Sequence, residues 1–513
     1  MSSENKIIYK IPIVFLGLIG AVLIFLLTNS FGIGLSPDSV YYISVARHIA
    51  DGSGFTGYDG YSYLLQPPLY PLLLAAIKII FSADPLISVV YINSFLMGLI
   101  IYFSGMYLLK HLKSFPLTLA GTAVILTSFV FIQNFLIALS EPFFILCIIL
   151  YLRYFDVYNE KGTIKPLILF SIAAALACLT RYVGVIIILS GSISILIRSS
   201  KSLKERIRHL VIFDIITIIP IGIWVLRNLI VSGTFAGQRA GSSYTFSKNI
   251  SLLSNTVLNW FFQIEINGLQ LLILIILITA GILTATALIY LKRKEELKLF
   301  QTSPIILFII LYMVIIVVSS TTTAYDKIAD RLLSPIFIPL IIMTFILLEF
   351  IQKWMSKYSN RSLISGLFLL GIIMWMKYPL MNSFYNIKDY VGQSGWEYSS
   401  KEWKDNPVIS YLNKEKELES GYLFYSNVPE AVYILANKAA KWSPARTYYN
   451  SPQLVKSDSR QRIIKDSKDK VCLIWFNNSN RSFLFTINEL RETINMVKIA
   501  QLPNGEIYTL WQK

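Results

Sequence analysis

Apolar positions in this chain fall in long unbroken runs, not at the period of two or 3.6 that marks half-buried strands and surface helices. Runs of spanning length lie at 11–29, 86–109, 116–133, 142–158, 166–180, 183–198, 209–226, 269–291, 304–320, 332–351 and 362–380. At about 20 apolar residues per bilayer crossing, they predict about eleven transmembrane helices, of which the pair within 166–198 is short. Lys6 and Lys10 precede the first run and no small-residue cleavage site follows it, so it is expected to remain as a helix and not to be removed as a signal peptide.

Two of the intervening polar stretches are long, 30–85 and 227–268. In the first, Ser36-Pro37-Asp38 opens a segment with Tyr41, Val45 and Ile49 at helical spacing and Gly52 as its stop, which predicts a capped helix along the membrane surface. From 381 onward the pattern changes. Strand-like runs at 421–427 and 471–477, helical runs at 430–438 and 488–498, and a hairpin at Pro503-Asn504-Gly505 predict a small α/β domain without a Gly-rich phosphate loop. The expected architecture is a polytopic α-helical transmembrane domain over 1–380 and a C-terminal soluble α/β domain over 381–513.

Composition and charge sharpen this picture. With 55% hydrophobic and 15% charged residues among 513, the chain is excluded from the ordinary soluble enzymes. The net charge of +16 is read as topology signal and headgroup attraction, since no nucleic-acid motif accompanies it. A cytoplasmic N-terminus places 19 Lys and Arg residues on the short inner segments and 8 on the longer outer ones. The positive-inside rule therefore predicts a plasma or inner membrane protein whose C-terminal domain lies outside. Cys147, Cys178 and Cys472 are far apart and read as buried hydrophobes. His48, His111 and His209 show no ligand spacing, so no metal site is expected on histidine.

Chemistry is expected at the outer span ends, where chain is invested. Asp38 sits near the outer end of the first span in a loop rich in Tyr and Gly. It reads equally as a carboxylate facing a cavity or as a first-turn acid complementing its helix dipole. Glu141, in the short Ala138-Leu139-Ser140-Glu141-Pro142 turn, is either functional or part of an ordinary helix start. Arg181, Arg227 and Arg331 stand at outer span ends that the positive-inside rule disfavours for arginine. They suggest forked donors for a phosphate, against the alternatives of snorkelling or pairing with a local Asp.

The same segments resemble the GT-C superfamily of integral membrane glycosyltransferases, in its protein O-mannosyltransferase and lipid A aminoarabinose transferase branch. The resemblance is carried by Ser36-Pro37-Asp38-Ser39 with Tyr42, Ala46 and Gly52-Ser53-Gly54-Phe55, by Gln66-Pro67-Pro68-Leu69-Tyr70-Pro71, and by Ser140-Glu141-Pro142. Thr180-Arg181, Arg227-Asn228, Arg331-Leu332-Leu333-Ser334-Pro335, and Tyr425-Ser426-Asn427 with Pro429 and Tyr433 complete it. It implies transfer of a sugar from a polyprenyl-phosphate carrier on the outer face, with Asp38 as the catalytic aspartate and Glu141 as a second acid. Tyr42, Gln66, Lys78, Arg181, Arg227 and Arg331 are the substrate-binding residues it suggests. Where the family commonly has a basic residue before Pro-Pro this chain has Gln66, and Ser39 follows Asp38 where Glu is frequent.

A polyprenyl phosphate is already a good leaving group, so the protein has to deprotonate an acceptor hydroxyl and neutralise phosphate charge. The expected partners are the carrier-linked donor, an acceptor protein, lipid or glycan, and membrane lipids. No cofactor is indicated; a divalent metal is compatible with the class, and no residue pattern points to one. The competing readings are a secondary transporter, whose polar breaks belong at mid-span in paired positions, and a transferase or ligase using another lipid-linked donor.

Overall fold

A computed structural model describes residues 8–198, 201–262, 303–356, 361–415, 418, 421–455, 459–466 and 470–510. Among these, six helices are each long and apolar enough to cross a membrane: Lys10–Phe31, Pro85–His111, Leu203–Ser232, Pro304–Thr322, Asp330–Met355 and Ser362–Gly392. The pair Phe115–Thr127 and Phe129–Phe135, bent by 56°, makes a seventh; the bend falls at Ser128, whose backbone is extended. Helices Glu141–Lys161, Ile164–Thr180 and Val185–Leu196 occupy three more of the expected segments, the last two with 17 and 12 residues. The expected span 269–291 lies outside the described residues. Exposed apolar side chains such as Phe15, Leu18 and Val22 on the first helix, or Ile215, Ile219 and Ile223 on Leu203–Ser232, form the lipid-facing surface. The protein is a multi-pass α-helical membrane protein.

The predicted helix in the first long loop is present as Pro37–Ala50. Ser36 and Ser39 cap each other's backbone N–H groups reciprocally, with Pro37 in the first turn. A second helix in this loop, Leu69–Phe81, was hidden in the sequence by its short apolar length, and it packs beside the first. At the far end of the chain, the change of composition at 381 does not end a helix: Arg361–Gly392 continues through it. The side chain of Asn386 donates to the Asn382 carbonyl one turn back, so the polar stretch simply prolongs the helix into water.

The C-terminal sheet contains β1 (Leu423–Ser426), β2 (Ala440–Trp442), β3 (Val471–Phe476), β4 (Met496–Leu502) and β5 (Gly505–Leu510) in the order β2-β1-β3-β5-β4. β2, β1 and β3 are parallel; β5 is antiparallel to β3 and to β4. The hairpin predicted at Pro503-Asn504-Gly505 joins β4 to β5, with Leu502 opposite Gly505. The helix expected over 488–498 is shorter, Ile487–Thr493, because Met496 onward is taken into the ladder with β5.

One face of this sheet is not free. Cys472, Ile474 and Ile507 share a hydrophobic cluster with Tyr42, Tyr63 and Tyr70 of the first loop region, while Tyr425, Leu473 and Tyr508 form a separate cluster on the other face. The domain is therefore seated on the Pro37–Ala50 helix, at the end of the bundle that carries the candidate site.

Candidate active site

Three distant pieces of chain are stitched together by backbone hydrogen bonds at this end of the bundle. Gly34 N–H donates to the Leu136 carbonyl at 2.7 Å, and Ala138 N–H donates to the Gly34 carbonyl at 3.0 Å. Leu35 N–H donates to the Trp396 carbonyl at 3.3 Å, and Tyr398 N–H donates to the Leu35 carbonyl at 3.2 Å. A Cβ on Gly34 would lie 2.9 Å from the Leu136 oxygen, so only glycine allows this approach. Asp38 lies shortly after this stitch on the first strand of chain, and Glu141 shortly after it on the second. Their positions relative to each other are fixed by backbone.

The acids meet two arginines there. Arg331 Nη1 donates to Asp38 Oδ2 at 3.1 Å, its Nη2 donates to Asp326 Oδ2 at 2.7 Å, and its Nε lies 3.9 Å from Glu141 Oε1. Arg181 Nη1 is 2.6 Å from Glu141 Oε1. Glu141 is 1% exposed, and neither of its oxygens makes a hydrogen bond of good geometry, so the ion pair with Arg181 is its main compensation. Asp38 is 39% exposed; its free oxygen Oδ1 receives only Gln66 Nε2, at 3.4 Å. Three carboxylates against two guanidiniums leave this group with a formal excess of one negative charge.

A ladder of donors grips the loop just before Pro67. Arg227 Nη1 donates to the Tyr63 carbonyl at 2.7 Å, Tyr182 Oη to the Leu64 carbonyl at 3.0 Å, and Arg239 Nη2 to the Leu65 carbonyl at 2.8 Å. Arg227 also lies over the Trp224 ring, 4.9 Å from its centroid, and Arg239 over Tyr325 at 5.0 Å. No described carboxylate pairs with either arginine. Among the described residues their charges have no carboxylate partner, and both sit against the loop whose Gln66 reaches Asp38.

The structure thus brings Asp38, Glu141, Arg181, Arg331 and Gln66 together, with Tyr42 joined to them through Ser140 at 3.3 Å. Burial holds the Tyr42 phenol far above its usual range, with the Asp38 charge adding to this, so it is a neutral donor. Arg227 stands one loop away. Lys78 is not brought in: it pairs with Asp51 at 2.7 Å, at the opposite end of the Pro37–Ala50 helix, roughly 20 Å from Asp38 at 1.5 Å per residue. Sequence reasoning missed Arg239, which lies in a span-free stretch with no motif, and gave Asp326 no role although it completes the Arg331 fork. Among the described residues, no group of three or more His, Cys, Asp or Glu side chains is disposed to hold a metal ion.

Comparisons with known proteins bear on this arrangement. Residues 65–224 match the family described as dolichyl-phosphate-mannose-protein mannosyltransferase. No curated protein matches the chain. The structure is similar to that of ArnT from Cupriavidus metallidurans bound to undecaprenyl phosphate, with a TM-score of 0.60 at 12% identity, covering 99% of this chain and 98% of that one. The apo state of the same ArnT gives 0.61 with the same coverage and identity. The archaeal oligosaccharyltransferase AglB from Archaeoglobus fulgidus, in complex with an inhibitory peptide and a dolichol-phosphate, gives 0.54 at 12% identity over 93% of this chain and 70% of that one. The resemblance carried by the sequence motifs therefore extends to the architecture, and the chain has an ArnT-like GT-C fold.

Proposed function

We propose that this protein transfers a monosaccharide from a polyprenyl-phosphate carrier to an acceptor hydroxyl, on the membrane face that bears the C-terminal domain. The observation that carries the proposal is Asp38, held at a capped helix start with one oxygen on Arg331 and the other almost free, inside a fold similar to that of ArnT. Solved relatives of this fold are described with undecaprenyl phosphate and with dolichol-phosphate, which supports a lipid-linked donor here.

In this reading Asp38 Oδ1 accepts the proton of the acceptor hydroxyl as its oxygen bonds to the anomeric carbon. The bond from that carbon to the phosphate oxygen breaks, and configuration inverts because a single displacement occurs. The phosphate gains negative charge as the sugar leaves. Arg331, with Arg181 behind it, meets that charge, and Arg227 and Arg239, which have no described carboxylate partner, hold the phosphate against the Tyr63–Pro67 loop. Glu141 keeps Arg181 in place. The positive-inside count supports placing this face outside the cytoplasm, and in this reading the C-terminal domain, 393–513 after the last long helix, shapes access for the acceptor.

The test is transfer of label from a polyprenyl-phosphate-linked sugar by the purified protein, with native membranes as the acceptor source. Labelled acceptor and free polyprenyl phosphate should appear in equal amounts. A folded protein that binds the carrier lipid yet moves it intact across vesicles, with no cleavage, would make it a transporter instead.

A further inference from the structure

Glu397 stands in the third strand of the backbone stitch, and the chemistry above makes no use of it. The hydrogen bonds from Leu35 to Trp396 and from Tyr398 to Leu35 flank it on both sides. It is thereby pinned opposite the residue that leads into the Asp38 helix start. Its φ is +51°, following Ser394 at +53° and Gly395 at +113°. A glutamate in that region is strained and persists only where its surroundings over-determine the backbone. Glycine would be the unstrained residue, yet the chain places a carboxylate there.

That carboxylate is uncommitted. The residue is exposed, and no described side chain bonds to it. The protein around it nevertheless desolvates the carboxyl. Burial pushes its carboxyl up to about 7; Arg331 opposes this, while Asp38, Asp326 and Glu430 add to it. These four are the charges that face it, from the Asp330–Met355 helix and the loop before it, from the Asp38 helix start, and from the Pro429–Ala436 helix of the C-terminal domain.

We infer that Glu397 is an acceptor-binding residue, accepting a hydrogen bond from a neutral donor group next to the hydroxyl being glycosylated and excluding acceptors that carry an anion at that point. The inference rests on the glycosyl-transfer reading. An acceptor hydroxyl in contact with Asp38 brings its neighbouring groups to the residue stitched beside Asp38. The cations without a described carboxylate partner, Arg227 and Arg239, grip the Tyr63–Pro67 loop and are not among the charges acting on Glu397. The one guanidinium that does act on it, Arg331, is already held by Asp38 and Asp326, so an anion on the acceptor at this point meets the Glu397 carboxylate without a free counter-charge. A hydroxyl or amide donor suits it.

The experiment compares wild type, Glu397→Gln and Glu397→Gly in the full-length protein, using labelled polyprenyl-phosphate sugar and solubilised native membranes as titrated acceptor. Both variants should raise the apparent acceptor KM by about tenfold, the loss expected for a hydrogen bond to a charged group, with donor KM unchanged. In wild type the acceptor KM should rise as pH falls through about 7 and the carboxylate is protonated; in the variants it should not change with pH. Glu397→Gly relieves the backbone while removing the carboxylate, so agreement between the two variants assigns the effect to the charge. An acceptor KM and pH profile in Glu397→Gln identical to an active wild type overturns the inference, as does impairment of Gln with a normal Gly variant. Absence of any transfer by wild type overturns the glycosyl-transfer reading itself.

Discussion

Nη1 of Arg331 lies 3.1 Å from Oδ2 of Asp38, although 293 positions separate the two residues. The same guanidinium holds Asp326 at 2.7 Å, so one planar fork ties the first loop of the chain to the segment before its tenth expected span. Such a fork suits planar, bidentate partners, and a lysine in its place offers a single point charge. Arg331 can therefore serve carrier phosphate and catalytic carboxylate at once only as arginine.

Arg331→Lys should fold normally and raise donor KM by roughly 10- to 100-fold, the range for losing a charge-assisted hydrogen bond. Turnover at saturating donor should fall as well, because the developing phosphate charge is less well met. Steady-state kinetics on the purified protein reads both. Unchanged donor KM with unchanged turnover removes Arg331 from the phosphate.

Glu141 and Arg181 form a pair in which one member is 1% exposed and the other 20%. Removing a single partner leaves a desolvated charge, at a cost of about 3 kcal/mol or more. Glu141→Gln should lower thermal stability in detergent markedly, and the double change Glu141→Gln with Arg181→Gln should recover much of it. If the single change leaves the melting temperature unaltered, Arg181 has another counter-charge.

What the sequence made legible was local. The Ser36-Pro37-Asp38 helix start is written in adjacent residues, because a cap and a first-turn proline act within one turn. The long apolar runs are equally explicit, since the bilayer demands them. The pairing of Asp38 with Arg331, the stitch at Gly34, and the assignment of Lys78 to Asp51 depend on how distant segments meet, and no spacing rule encodes that. Glu397 was invisible for a different reason: its interest lies in a left-handed backbone that glutamate does not announce. The strand beginning at Met496 reads as the end of a helix because Leu490, Ile494 and Val497 keep the i, i+4, i+7 spacing, while the alternation of Val497 and Ile499 is too short to stand out until β5 is there to pair with them.

Gly34 offers a test of the stitch itself. In Gly34→Ala the new methyl meets the Leu136 oxygen at 2.9 Å and Ile137 Cγ1 at 3.0 Å, and the first of these is backbone that cannot swing aside. The Asp38 and Glu141 segments must then separate. A misplacement on the order of 1 Å can cost about 100-fold in rate, so turnover should drop steeply while the protein still inserts and binds carrier lipid. Full activity in Gly34→Ala means that the two segments need not be held this closely.

Topology is checked by limited proteolysis. The helix that starts at Arg361 runs to Gly392, so cleavage by a protease applied to the outer face should fall beyond 392 and not at 381. Cleavage there only when the cytoplasmic face is exposed would reverse the orientation derived from the charge count.

The last prediction turns on the two oxygens of Asp38. Oδ2 is committed to Arg331, whereas Oδ1 has only the long contact with Gln66, at 3.4 Å. An acceptor hydroxyl attacks at neutral pH only if its proton is taken as the new bond forms, a contribution of roughly 100- to 10,000-fold. Asp38→Asn retains the shape of the side chain and can present its amide oxygen to Arg331, so helix start and ion cluster should survive. What it lacks is a basic lone pair at the Oδ1 position. Turnover should therefore fall within that range while donor KM and thermal stability change little. Asp38→Ala, which also removes the contact to Arg331, should in addition raise donor KM, because the freed guanidinium can swing toward Asp326. If Asp38→Asn keeps near-native turnover, Asp38 is only a first-turn acid complementing its helix, and Glu397, the other carboxylate at the stitch that is free of an ion pair among the described residues, becomes the base to test next.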